Sequence, residues 1–216
     1  MLAGSILDIV TLAVILLIAI WLHEYSHAYV SYKLGDPTPK LQWRLTTNPF
    51  KHIDLVGFLM IFLVKFWWWK PVQINPYYYK NPLKWEVLVA LAWPAMNLAL
   101  AFLWIFIMLL STKLTWWQQI LMTWDYGFWI KFLMQFSMIN IGLAVFNLIP
   151  VPPLDGFSVI KMIFPKFANM IKPYTQYITI WFLLLLFFRT PLLNFLWGTR
   201  DTIFRLMCTF FSSIFY

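Results

Sequence analysis

Residues 9–32 read IVTLAVILLIAIWLHEYSHAYVSY, an uncharged run from Ile9 to Leu22 that passes without a helix breaker into His23-Glu24-Tyr25-Ser26-His27. The length and apolarity predict a membrane-crossing helix, since a hydrocarbon core of ~30 Å takes about 20 residues at 1.5 Å each. On such a helix His23 and His27 stand on one face, one turn apart, where both imidazoles reach a single metal ion. Glu24 then lies beside that ion, placed to take a proton from water the ion activates. The pattern points to zinc-assisted hydrolysis, in which water rather than a side chain is the nucleophile. Ionisable groups next to lipid are expensive, about 2.5 to 3.5 kcal/mol each at mid-membrane on insertion scales, which favours a working site over an accidental one.

The whole chain agrees with the opening stretch. Of its 216 residues 62% are apolar and 11% charged, against ~25% charged in a soluble domain. The fold class expected is an all-α polytopic membrane protein with four to six spans, built as a single domain over residues 1–216 and in contact with the lipid bilayer. Residues 1–22 lack a basic start and a small-residue cleavage site, so they read as a retained helix rather than a signal peptide. The net charge of +8 is scattered, which suits membrane orientation and anionic head groups and argues against nucleic acid. The single Cys208 excludes an intrachain disulfide and reads as an apolar filler.

Gly35-Asp36-Pro37 should end the first span. From Lys33 to Lys84 the chain holds eight of the sixteen basic residues and six prolines. That composition predicts a loop region, with Leu55 to Val64 as a re-entrant segment too short to cross. Trp67 to Trp69 and Tyr77 to Tyr79 suit the head-group layer, and Lys84 and Glu86 the membrane boundary. Further spans are expected over 87–110, from about Gly127 to Ile149, and over 174–188. Residues 191–216 form either a fifth span or a surface-lying amphipathic segment. Lysine and arginine gather after the first and third spans, which puts the N-terminus outside and those two loops in the cytoplasm.

That topology brings a second constellation to the same side of the membrane. Asn147-Leu148-Ile149-Pro150-Val151-Pro152-Pro153-Leu154-Asp155-Gly156 ends the third span with three prolines that withdraw backbone donors and a glycine that allows a tight turn. Asp155 on such a turn is a candidate third ligand. Two histidines and one acid leave zinc's fourth position open, the mark of a catalytic site.

The ordered set HEYSHAY, GDPTPKLQWRLTTNPFKHIDLVG, KPVQINP, ALAWPAMN and FNLIPVPPLDG, over residues 20–160, resembles the site-2 proteases, in the compact bacterial and archaeal branch without a PDZ domain. The resemblance implies an intramembrane zinc metalloprotease of the plasma membrane that cuts transmembrane segments of other proteins near the cytoplasmic face. It implies His23, His27 and Asp155 as ligands of one Zn2+ ion, Glu24 as catalytic acid/base, Asn147 as a contact to substrate backbone or oxyanion, and residues 35–80 as a membrane-associated strand and loop beside the active site. Two alternatives stand beside it: a catalytically silent membrane binding partner, and a metal transporter, for which the chain lacks a second ligand-rich helix. His52 reads as an interfacial residue and Asn97 as a bond between helices. Trp43 and Trp93 stand where the resemblance leads one to expect glycine, with Trp67 a third such position. Either the chain has diverged, with Ala90, Ala92 and Ala95 compensating, or its gene uses UGA for glycine and has been translated with UGA as tryptophan.

Overall fold

The computed structural model describes residues 6–46, 48, 51, 72–114, 126–187 and 191–215. Along the chain run α1 (Ile6–Lys33), α2 (Thr38–Leu41), a 3-10 turn (Pro76–Tyr78), α3 (Pro82–Lys113), α4 (Tyr126–Asn147), α5 (Gly156–Ile163), α6 (Pro165–Ile171), a second 3-10 turn (Lys172–Tyr174), α7 (Thr175–Phe187) and α8 (Pro191–Phe215). The all-α expectation holds, and no strand forms among the described residues. Of the segment 35–80, the described parts hold α2 and the first 3-10 turn, flanked by extended backbone at Asn75 and Tyr79. Leu55 to Val64, His52 and Trp67 to Trp69 lie outside the described residues.

Three described helices are long and apolar enough to cross a membrane: Leu7–Lys33, Pro82–Lys113 and Gly127–Asn147. Each outlasts the ~20 residues a span needs, and Pro94 sits inside α3 without ending it. The span expected over 174–188 is described as α7, 13 residues as far as Phe187, and it enters a candidate crossing jointly with its neighbours. A fourth crossing arises only if Pro165–Leu186 and Pro191–Phe215 act together as one broken span.

The chain gathers into two compact units, one of Met1–Met96 with Ser158–Asn169 and one of Asn97–Phe157 with Met170–Tyr216. In the second unit α8 packs along α4. Ala101, Ile105, Ile141 and Phe211 form its buried centre, and Cys208 lies among the apolar side chains around it, as a filler should. Small Ala101 leaves room for the rings that follow: Phe211 meets Phe102 at 4.4 Å and Phe106 at 5.5 Å between centroids, spacings at which aromatic pairs attract beyond their area.

In the first unit the end of α1 is tied down by a buried carboxylate. Asp36 is fully buried. Its Oδ2 accepts from the Ser31 hydroxyl and from the Asn75 N–H, each at 2.8 Å, and its Oδ1 from the Thr38 N–H at 2.9 Å. Because Ser31 spends its proton on Asp36, the Tyr79 hydroxyl 2.7 Å away must donate to Ser31. One side chain thus fastens the helix end to both α2 and the 75–79 segment. Burial pushes the Asp36 carboxyl up, but the hydrogen bonds from Thr38, Asn75 and Ser31 outweigh it and hold the group below the usual carboxylate range. Burial, with the charge of Asp36 nearby, raises the Tyr79 phenol.

The sign of the pH effect follows. A carboxyl with a depressed folded pKa stabilises fully above its unfolded value of about 3.9 and loses that contribution as pH falls through the folded value. Asp36→Ala should therefore lower stability at pH 7 by at least ~2 kcal/mol, by stranding buried donors. In thermal unfolding in detergent, the gap between wild type and variant should narrow below pH ~3.9.

Candidate metal centre

Helix α1 delivers its two histidines from the buried side of an apolar cylinder. His23 is 5% and Glu24 1% exposed, and His27 is half-buried. The rings of His23 and His27 stand 4.8 Å apart between centroids and nearly perpendicular, at 84°, so they converge without stacking. The Nδ1 atom of His27 lies 2.8 Å from the backbone carbonyl of Val89 on α3. A carbonyl only accepts, so Nδ1 carries the proton and Nε2 carries the lone pair a metal requires. Such a bond fixes both tautomer and ring orientation, as outer partners of ligating histidines do.

Glu24 is held from two sides. Its Oε1 is 3.3 Å from Nε2 of His23, and its Oε2 accepts from the Val72 N–H at 2.7 Å. The backbone of residue 72 is four residues from the first 3-10 turn, which the Asp36 network anchors at Asn75. A fully buried carboxylate needs partners of this kind, because an unmet charge in an apolar setting costs several kcal/mol. The Trp93 indole lies against His23, with centroids 3.8 Å apart and the rings at 63°.

Asp155 sits on an irregular turn between α4 and α5. The helix ends with Leu148 and Ile149 donating to Ala144 and Phe146, after which Val151 to Ile149 and Leu154 to Val151 close tight turns of 2.8 and 2.9 Å. Pro150, Pro152 and Pro153 contribute no donors here, so the turn leaves few backbone groups to satisfy. Gly156 is obligatory in this arrangement: a Cβ would fall on the carbonyl of Leu148 and within 2.7 Å of that of Ile149. The Thr179 hydroxyl donates to the Thr175 carbonyl of its own helix at 2.8 Å and lies 3.3 Å from the Pro152 carbonyl.

The three expected ligands come together. One ligand atom each from His23, His27 and Asp155 lie within 4.8 Å of one another. Two imidazoles and one carboxylate would hold one zinc ion and leave its fourth position open. The donors fit the group: two neutral imidazoles and a carboxylate, one imidazole already in the binding tautomer. Asn147 is 4% exposed and its Nδ2 donates at 3.3 Å to Leu143 of its own helix.

Sequence reasoning did not find the Val89 carbonyl, the Val72 N–H or the Asp36 network. The first two are backbone groups with no residue signature. Asp36, between a glycine and a proline, looks in sequence like any turn residue.

Residues 11–188 match the family described as Peptidase family M50. The chain is 37% identical over 209 residues to YwhC of Bacillus subtilis, covering 94% of this chain and 93% of that protein; the relative's name assigns it provisionally to the zinc metalloproteases. Rip2 of Mycobacterium tuberculosis, named in the same provisional way, is 28% identical over 185 residues, 82% of this chain and 66% of its own length. Rip2 of Mycolicibacterium smegmatis is 28% identical over 194 residues, 83% and 69% of the two chains. No solved structure matches the chain.

Gly156→Ala should displace the turn that carries Asp155, because its Cβ meets fixed backbone rather than a movable side chain. Metal content of the detergent-purified protein should fall at least tenfold, while Leu148→Ala, at an exposed side chain on the same turn, should leave it unchanged.

Proposed function

This chain belongs to peptidase family M50, and on that premise we propose that it is an intramembrane zinc endopeptidase of the site-2 type, cutting peptide bonds in or near membrane-spanning segments of other proteins. The observation that carries the reading is the convergence of His23, His27 and Asp155 with Glu24 beside them. His23, His27 and Asp155 would hold one zinc ion. When bound, zinc supplies Lewis acidity and lowers the pKa of water toward neutrality.

The remaining work falls to the chain. Glu24 takes the proton of the attacking water on Oε1 and passes it to the leaving amine, while the Val72 N–H holds Oε2 and keeps the carboxylate from turning away. The Val89 carbonyl keeps His27 in its binding tautomer through the cycle. Asn147, whose bond to Leu143 is long, exchanges it for the substrate backbone or the developing oxyanion.

Peptide hydrolysis needs water, and a helical substrate hides its carbonyls, so the reaction requires a wet site and an unwound stretch of substrate. The lysine and arginine distribution supports a site near the cytoplasmic face, with the N-terminus outside, in the plasma membrane of a bacterium or archaeon. Residues 1–216 act as one proteolytic domain in this reading.

The test is cleavage of model transmembrane peptides by protein purified in detergent. Glu24→Gln should keep its zinc and lose ~10²- to 10⁴-fold in rate, the usual contribution of a general acid/base. His23→Ala and Asp155→Ala should lose metal and activity together. A Glu24→Gln protein cleaving at the wild-type rate would remove the basis of the proposal.

A further inference from the structure

We propose that positions 43 and 93 are glycine in the working protein, each encoded by a UGA codon that the source cell reads as glycine, and that the space the Trp93 indole occupies beside His23 belongs to the site. The first observation is a pair of helix ends. At the end of α1 the Asp36 N–H bonds the Ser31 carbonyl at 3.1 Å and the Gly35 N–H the Tyr32 carbonyl at 3.0 Å, with Gly35 at φ 103°. At the end of α2 the Arg44 N–H bonds the Pro39 carbonyl at 2.8 Å and the Trp43 N–H the Lys40 carbonyl at 3.1 Å, with Trp43 at φ 57°. The two patterns are the same left-handed helix stop, eight residues apart in sequence.

The stop needs its pivotal residue in the left-handed region, which glycine adopts freely and other L-residues adopt against a clash of Cβ with the following carbonyl. Gly35 meets that requirement. Trp43 is the one non-glycine residue at positive φ among the described residues. Its side chain offers no compensation, being 78% exposed.

Position 93 shows the opposite symptom. Trp93 is 1% exposed, its ring presses on His23 at 3.8 Å between centroids, and its Nε1 meets no acceptor among the described residues. A buried indole normally finds a partner for its N–H; Trp21 shares the unmet Nε1, and what sets Trp93 apart is its place against His23. Here the largest side chain is set against a candidate metal ligand with its one polar atom unmet. A glycine would remove the orphan and leave room on that face of His23.

Composition points the same way. The chain has 14 tryptophans and 7 glycines, about half the glycine of ordinary usage, although transmembrane helices carry more glycine than soluble ones. UGA differs from the glycine codon GGA by one base, so one reassigned codon accounts for both the excess and the deficit. Trp67, the third expected glycine position, lies outside the described residues.

The part concerning His23 rests on the proteolytic reading; the part concerning Trp43 does not. The gene is sequenced at codons 43 and 93, and peptides of the protein from its native membranes are weighed. UGA codons with glycine masses are expected; UGG at either codon overturns the proposal for that position. Separately, Trp43→Gly and Trp43→Ala proteins are unfolded thermally in detergent. Glycine should raise Tm by about 2 to 8 °C, while alanine, which keeps the Cβ clash, should not; equal Tm values would overturn the conformational argument. Trp93→Gly should cleave a transmembrane peptide at least tenfold faster than Trp93→Phe, and equal measurable rates would exclude a role for the space beside His23. Glycine masses together with no cleavage by any variant would count against proteolysis rather than against the glycine positions.

Discussion

A buried carboxylate at the end of an apolar helix is the constraint from which the rest of this structure follows. Glu24 is 1% exposed, and a charge in that setting persists only when opposite charge and hydrogen bonds surround it. One oxygen faces His23 and the other takes the Val72 N–H. A metal ion held by His23, His27 and Asp155 would add the positive charge that two neutral imidazoles lack. The site is therefore a set of mutually dependent groups, each a poor tenant of an apolar interior on its own.

Asp36 extends that dependence outward. It anchors Asn75, three residues from the N–H that Glu24 uses, and through Ser31 and Tyr79 it binds the same segment to the last turn of α1. A single rigid helix end thus sets both the histidines and the backbone opposite them. This arrangement explains why, among the described residues, the carboxylates of Glu24 and Asp36 are kept buried. In the second unit, Gly156 lets α5 start directly against the end of α4, which confines Asp155 to a short and nearly donor-free turn.

Legibility differed by the kind of atom involved. The helices with long uncharged runs were plain, because span length is fixed by the thickness of the bilayer and apolar side chains are its direct record. The last quarter of the chain was not: apolar α7 and the more polar α8 enter a candidate crossing only as a bent pair, which a run of apolar letters does not announce. The strand expected in 35–80 came from the resemblance, whereas the prolines and basic residues there read as a loop, and the described parts of it hold helical turns.

The residue pattern alone determined that His23 and His27 share a face, since 3.6 residues per turn leave no other outcome once the stretch is helical. It also singled out Asp155 by the prolines and glycine around it. What tertiary structure decided was everything supplied by backbone: the Val89 carbonyl that sets the His27 tautomer, the Val72 N–H on Glu24, and the left-handed turn at Trp43. Side chains announce themselves as letters in a sequence. Every residue but proline carries the same N–H and every residue the same C=O, so which of them reaches a site is settled only when the chain has folded.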